Sequence, residues 1–264
     1  MLSNLGELFR YRGLIQTLVA RELKARYRGS VLGFFWSFVN PLLLLLVYSF
    51  VFTVVLPRGE LVSLEPYAVF LFCGLLPWTW FSSSLSDGAN VLIINGILIK
   101  KVMFPAEILP IVAVLSNMVH FLFGLPILII FLLYYAVPLR LTELAWFPFV
   151  VAVQFTLTLG LAMVLSALTV HFRDIKDLLA NILTLWFFAT PIIYPMSFLS
   201  DRGKAIMDLN PFAHLAISYQ EILFYDGPFG HWKWLLALAA AGLVLFLFGY
   251  ALFDRLRDSF AEEV

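Results

Sequence analysis

GSVLGFFWSFVNPLLLLLVYSFVFTVVLP, residues 29–57, runs for 29 positions without an Asp, Glu, Lys or Arg. A helix needs roughly 20 apolar residues to cross about 30 Å of hydrocarbon, so this stretch is long enough for one crossing. In lipid every backbone N–H and C=O must be paired within the protein, which leaves helices or closed β-barrels. Barrel strands alternate apolar and polar residues over roughly ten positions. The run PLLLLL at 41–46 does not alternate. The segment reads as a membrane helix over about 31–56.

Five further stretches share its lack of charge: 66–86, 108–139, 144–172, 178–200 and 234–253. They predict spans at about 67–86, 108–135, 146–170, 178–196 and 233–253, making an all-α integral membrane protein of six transmembrane helices. Another charge-free stretch, 209–220, is too short to span and contains Pro211. Composition agrees. Of 264 residues 62% are hydrophobic and only 13% charged, where soluble domains carry about 25% charge. Seventeen basic and 17 acidic residues cancel, which excludes a basic nucleic-acid binder. The single cysteine, Cys73, excludes an intramolecular disulfide framework and a cysteine-cluster metal site, and no metal site is expected. No small-residue cleavage site follows the charged N-terminal segment, so no removable signal peptide is expected. With the N-terminus inside, 12 Lys and Arg fall on the cytoplasmic side and 5 outside. That bias puts both termini in the cytoplasm.

Three segments outside the spans carry more information. LIQTLVARELKARYR, residues 14–28, places Leu14, Ile15, Leu18, Val19, Leu23 and Tyr27 at helical spacing with Arg21, Lys24 and Arg28 elsewhere on the wheel. It reads as an amphipathic basic helix lying in the headgroup layer, within an N-terminal unit 1–30 that precedes the membrane domain 31–264. DGANVLIINGILIKKVMFP, residues 87–105, is a short cytoplasmic connection too apolar for a solvated loop. Its isoleucines need a bilayer or a protein partner. Residues 197–231 hold two apolar pieces, each too short to span, separated by Asn210–Pro211. A pair of short helices dipping back into the outer leaflet, at about 200–225, fits if protein or water satisfies their ends.

Catalytic chemistry is absent from this pattern. Ionisable groups inside membrane spans are costly and mark function, yet His120 is the lone example away from a span end. A hydrogen bond across helices accounts for it. HExxH, GxSxG and GxxxxGK[ST] do not occur, so the chain has no Walker-type ATPase site of its own. HFRDIKD, residues 171–177, gathers acid, base and histidine, and reads as an ion-paired turn between spans four and five. Aromatic residues make up 17% of the chain. Interfacial belts absorb many of them, but Trp36, Tyr48, Trp78 and Tyr194 are candidates for stacking on sugar rings along a conduit.

RELKARYRGSVLGFFWSFVNPLLLLLVYSFVF (21–52), FRDIKDLLANILTLWFFATPIIYP (172–195) and NPFAHLAISYQEILFY (210–225) together resemble the membrane subunits of ABC-2-type polysaccharide exporters, the permeases for O-antigen, teichoic acid and capsule. The resemblance implies a homodimer in the cytoplasmic membrane of a bacterium, joined by two copies of a separate nucleotide-binding subunit. That subunit would use the ATP and magnesium, and this chain binds no cofactor. It implies a coupling helix at about 90–99, with Arg21, Asn90, Ile94, Ile97 and Leu98 meeting the ATPase, and an outer gate carrying Pro211, Phe212, His214 and Tyr219. The cargo would be a lipid-linked polysaccharide. Arg26, Arg28, Lys100 and Lys101 stand where they would draw its phosphates to the cytoplasmic surface. Rival readings are a permease for a non-glycan lipid or drug, an intramembrane enzyme acting on lipid-linked sugars, and a structural scaffold of the envelope.

Overall fold

A computed structural model describes residues 11–55, 66–100 and 104–263 of the chain. Its described residues form helices and no strands. In chain order these are α1 (Arg12–Arg26), α2 (Trp36–Phe50), α3 (Tyr67–Ile94), α4 (Gly96–Ile99), α5 (Ile108–Tyr134), α6 (Leu141–Leu144), α7 (Phe147–His171), α8 (Ile175–Phe188), α9 (Asp201–Met207), α10 (Pro211–Leu223) and α11 (Trp232–Glu263). The bundle has a basal end, where α1, α4 and the start of α5 lie, and a distal end formed by residues 189–231.

Among the described residues four stretches are long and apolar enough to cross a membrane: Tyr67–Ile94, Ile108–Tyr134, Leu141–His171 and Trp232–Phe260. In the other two segments expected to span, the helices are shorter. Before α2 lies a 3₁₀ turn (Gly33–Phe35), and after it the chain widens to a π-helix (Val51–Val55). α8 has 14 residues, about 21 Å at 1.5 Å per residue, and stops at Phe188 instead of continuing to 196. Pro191 and Pro195 lack the N–H a helix needs. The turn that replaces the last helical turns is buried, with Thr190 and Ile192 fully covered. Its carbonyls are met by side chains from elsewhere: Asn210 Nδ2 donates to Ala189 O (3.2 Å), Gln220 Nε2 to Pro191 O (2.9 Å) and Tyr67 OH to Ile193 O (3.0 Å).

α3 is the hub. In its most apolar 18 residues 78% are buried within the chain, against 28% for α11. It packs on α5, α7, α8 and α10. Pro77 interrupts its hydrogen-bond ladder, and the fully buried Gln154 of α7 donates to the Pro77 carbonyl at 2.8 Å. Such an interhelical bond contributes about 1 kcal/mol. The most extensive helix pair is α7 with α11. A Cβ added to Gly249 would lie 2.6 Å from the Gly160 carbonyl oxygen, and one added to Gly160 would lie 2.8 Å from the Phe246 nitrogen. Only glycine permits that approach, the small-residue packing typical of helices in lipid.

Candidate functional site

The basal site begins with α1. Its Leu14, Ile15, Leu18 and Val19 pack on Phe104, Ile108 and Val112 around the start of α5, so the apolar face found in the sequence rests on the chain's own bundle. Docking there carries Arg26 onto two helices at once. Nη2 donates to Asp87 Oδ2 on α3 at 2.8 Å and Nη1 to Asn117 Oδ1 on α5 at 3.2 Å. Asn117 Nδ2 donates to the same Asp87 oxygen at 2.8 Å, closing a triangle. The Arg26 and Asp87 side chains keep 34% and 44% of their exposure. A pair that wet contributes at most about 1 kcal/mol to stability. Of the five N–H donors of a guanidinium, most remain for a ligand.

Beside this triangle Tyr27 OH is hydrogen-bonded to His120 Nδ1 at 3.2 Å, with the rings edge to face. The hydrogen bond expected across helices for His120 is therefore made to the end of α1. His120 Nε2 is buried and makes no hydrogen bond among the described residues. Gly29 (φ +79°) and Gly33 (φ +49°) then turn the chain through left-handed backbone that side chains disfavour. That turn sets Trp36 so that its Nε1 donates to Ser30 Oγ at 2.9 Å. Arg26, Tyr27, Trp36, Asn40, Trp80 and His120 all face one cavity of about 680 Å³, open to the outside between α2, α3 and α5. A cation, hydroxyl and amide groups and indole faces share its walls. That mixture suits an anionic group joined to a sugar.

Of the four cations expected at a phosphate, Arg26 lines the cavity; Arg28 and Lys100 are exposed, with no ion pair among the described residues. Lys101 lies outside the described residues. The four candidate rings do not converge. Trp36 is basal and Tyr48 is half-buried against Phe187. Tyr194 sits at the distal turn, its hydroxyl donating to Phe188 O (3.1 Å). Trp78 departs from expectation: it is 6% exposed and wedged between Trp186, Phe187 and Phe212. It is a packing residue of the interior, because α8 and α10 both close over that face of α3.

The expected coupling helix at 90–99 is divided. Residues 90–94 finish α3, and α4 is the single turn Gly96–Ile99. Asn95 breaks the helix, its Nδ2 turned back onto Val91 O at 2.9 Å, the local bonding by which Asn competes with helical structure. Asn90 likewise bonds Ser86 O (3.0 Å), and Arg21 Nη2 reaches Asn95 Oδ1 only at 3.5 Å. Ile94 and Ile97 are 76% and 81% exposed, and Leu98 is half-buried.

The distal helices α9 and α10 occur where the sequence placed the gate. Phe212, His214 and Tyr219 point into the chain, all at most 5% exposed, while Pro211 opens α10. The residue that organises this end is Asn210, which the sequence reading passed over. Its Oδ1 accepts from Trp186 Nε1 (2.7 Å), Phe212 N (3.0 Å) and Ala213 N (3.3 Å), while Nδ2 donates to Ala189 O and to Thr190 Oγ1 (3.1 Å). The Asn-Pro pair was the available signal, an N-cap followed by proline at the first helical position. HFRDIKD also differs from expectation: His171 Nε2 is hydrogen-bonded to Ser259 Oγ at 3.1 Å. Among the described residues Arg173, Asp174, Lys176 and Asp177 form no ion pair, because the turn splays them outward. No metal-holding cluster of His, Cys, Asp or Glu occurs among the described residues.

The sequence profile of the family described as ABC-2 type transporter matches residues 13–224. The O-antigen export system permease protein RfbA of Myxococcus xanthus is 42% identical over 266 residues, covering all of both chains. Two proteins of the same description from Klebsiella pneumoniae are 34% and 33% identical over 262 residues, 99% of this chain and 98% of each relative. A family match that takes in α1 through α10, with relatives aligned end to end, makes this chain a member of the ABC-2 type transporter membrane family.

Proposed function

We propose that the chain is the membrane-spanning permease of an ATP-driven exporter of lipid-linked polysaccharide in a bacterial cytoplasmic membrane. The relatives' names supply the cargo class, and the basal cavity carries the reading: one guanidinium flanked by the Trp36 and Tyr27 rings in a space of about 680 Å³. In this reading the cavity opens at the cytoplasmic leaflet, where basic groups attract anionic headgroups. A diphosphate arriving there competes with Asp87 for Arg26. The indole and phenol rings then meet the first sugar. Six crossings with both termini inside complete the arrangement, α2 with its flanking turns serving as the first and α8 with its buried distal turn as the fifth. O-antigen, teichoic acid and capsule glycans fit this chemistry equally.

ATP hydrolysis belongs to a separate nucleotide-binding subunit, two copies of it on a permease dimer. Ile94 and Ile97, exposed at the basal end, are the contacts that carry its motion into α3. The test is to co-purify the chain with its genomic neighbour and measure ATPase activity with lipid-linked glycan and with small hydrophobic drugs. A complex of two and two, stimulated by the glycan and not the drugs, supports the proposal. Stimulation by drugs alone would favour a non-glycan permease. Turnover of lipid-linked sugar by the chain without a partner would overturn the reading.

A further inference from the structure

The distal end contains a second cavity, of about 390 Å³, walled by α10 and the loops on either side of it. Its size lies at the lower end of the roughly 300–1,000 Å³ typical of small-ligand sites. It has room for one sugar ring, not for a folded chain. Gln220, Glu221, Tyr225, Asp226 and Ser197 supply its polar wall and Ile217 an apolar one.

Three of these polar groups are fixed by bonds directed elsewhere and keep acceptor capacity for a ligand. Glu221 Oε2 accepts from Gly230 N and His231 N, both at 3.0 Å. Its Oε1 lies 3.7 Å from His231 Nδ1, beyond hydrogen-bonding range. Gln220 is 2% exposed and donates Nε2 to Pro191 O. Its Oε1 makes no hydrogen bond among the described residues. Asp226 accepts from Arg140 Nη2 at 2.6 Å, which holds the carboxylate and offsets its charge. Tyr225 packs edge-on against Phe70 and Phe224, leaving the side chain 38% exposed. Burial and the Glu221 charge push its phenol up to about 12, so the hydroxyl stays neutral. A pocket rich in oriented acceptors beside an aromatic ring calls for a ligand rich in O–H donors and free of negative charge.

We propose that this cavity is a binding subsite for one neutral, hydroxyl-rich sugar residue of a glycan at the distal end of the chain. The identity of that ligand as part of the cargo rests on the exporter reading; the cavity's preference for a neutral sugar does not. Neutral sugars are favoured over uronic acids because Glu221 repels a carboxylate, while the Asp226 carboxylate is already paired with Arg140.

The test uses the full-length chain in lipid nanodiscs and saturation-transfer NMR with methyl glycosides of mannose, galactose and rhamnose, with glucuronic acid and calcium ion as competitors. At least one neutral glycoside should bind in the millimolar range. Tyr225→Ala should weaken it about tenfold, and Tyr225→Phe, which keeps the packing ring, by less. Lys176→Ala, exposed at the start of α8 at the opposite end, should leave it unchanged. Three results overturn the proposal: no neutral glycoside binds, glucuronic acid binds better, or calcium displaces the sugar by occupying the two carboxylates. Glycan-stimulated ATPase activity of the chain reconstituted with its nucleotide-binding subunit, measured in parallel, separates the two ideas. Stimulation without glycoside binding removes the subsite and keeps the exporter; glycoside binding without stimulation does the reverse.

Discussion

The two ends of the bundle solve opposite problems. At the basal end Arg26, Asp87 and Asn117 form a hydrogen-bonded triangle that water still reaches, beside a wide open cavity and the exposed Ile94 and Ile97. At the distal end an irregular backbone is buried and held bond by bond: Asn210, Gln220 and Tyr67 meet the carbonyls of 189–193, Glu221 accepts from the amides of Gly230 and His231, and His214 Nδ1 lies 2.9 Å from His231 Nε2. Exposed ionic contacts are weak and exchangeable, whereas buried backbone carbonyls are costly to leave unmet. The difference teaches that the basal end is built to trade partners and the distal end to hold its shape.

The contrast is broken most severely at Asn210. Replacing it with Ala removes a helix cap and leaves the Ala189 carbonyl and the Trp186 indole unmet, so stability should fall by about 3 kcal/mol. Thermal unfolding in detergent measures this, with Asn210→Asp, which keeps the acceptor oxygen, expected to recover about half. Arg26→Ala should do the opposite, lowering glycan-stimulated ATPase activity about tenfold while stability moves by less than about 1 kcal/mol. Swapping the pair, Arg26→Asp with Asp87→Arg, restores an ion pair without restoring the cation's place in the cavity. It should not recover stimulation, and recovery would make the pair merely structural.

Much of this was legible in the sequence. The charge-free stretches located every long helix, and the periodicity of 14–28 found α1 with its apolar face. Length and apolarity could not show that α8 stops at Phe188, since the prolines that end it lie inside an apolar run and the donors that allow it to end come from residues 67, 210 and 220. Of the basal site, Arg26 was found because it is charged and near a span. His120 was noted as an ionisable residue within a span, but joining it and Asn117 to Arg26 requires knowing where α1 docks. Aromatic composition does not distinguish a ring facing a path from one packed between α3, α8 and α10, where Trp78 lies.

Smaller effects sharpen the comparison. Ile97→Asp should weaken co-purification of the nucleotide-binding subunit several-fold without shifting the melting temperature, since Ile97 is 81% exposed. The distal end should also sense acid. Burial and then the neighbouring His214 hold His231 down to about 4, against a smaller opposing pull from Asp208. A depressed folded value means the unfolded chain binds the proton first. The stabilisation is therefore complete above about pH 6.5 and is lost as pH falls toward about 4. Burial raises Glu221 and partly offsets this, because its protonation in acid favours the folded state. The net shift between about pH 7.5 and 5 should be a few degrees in Tm, and His231→Asn should reduce it while Arg26→Ala leaves it intact.

The most direct test of the account is ATP hydrolysis by the reconstituted complex in nanodiscs, with and without lipid-linked glycan, for the native chain and for Arg26→Ala. The account predicts that the glycan stimulates the native complex, and that Arg26→Ala keeps the unstimulated rate and loses most of the stimulation. Equal stimulation of both would contradict it, because the basal cavity would then have no part in receiving the cargo.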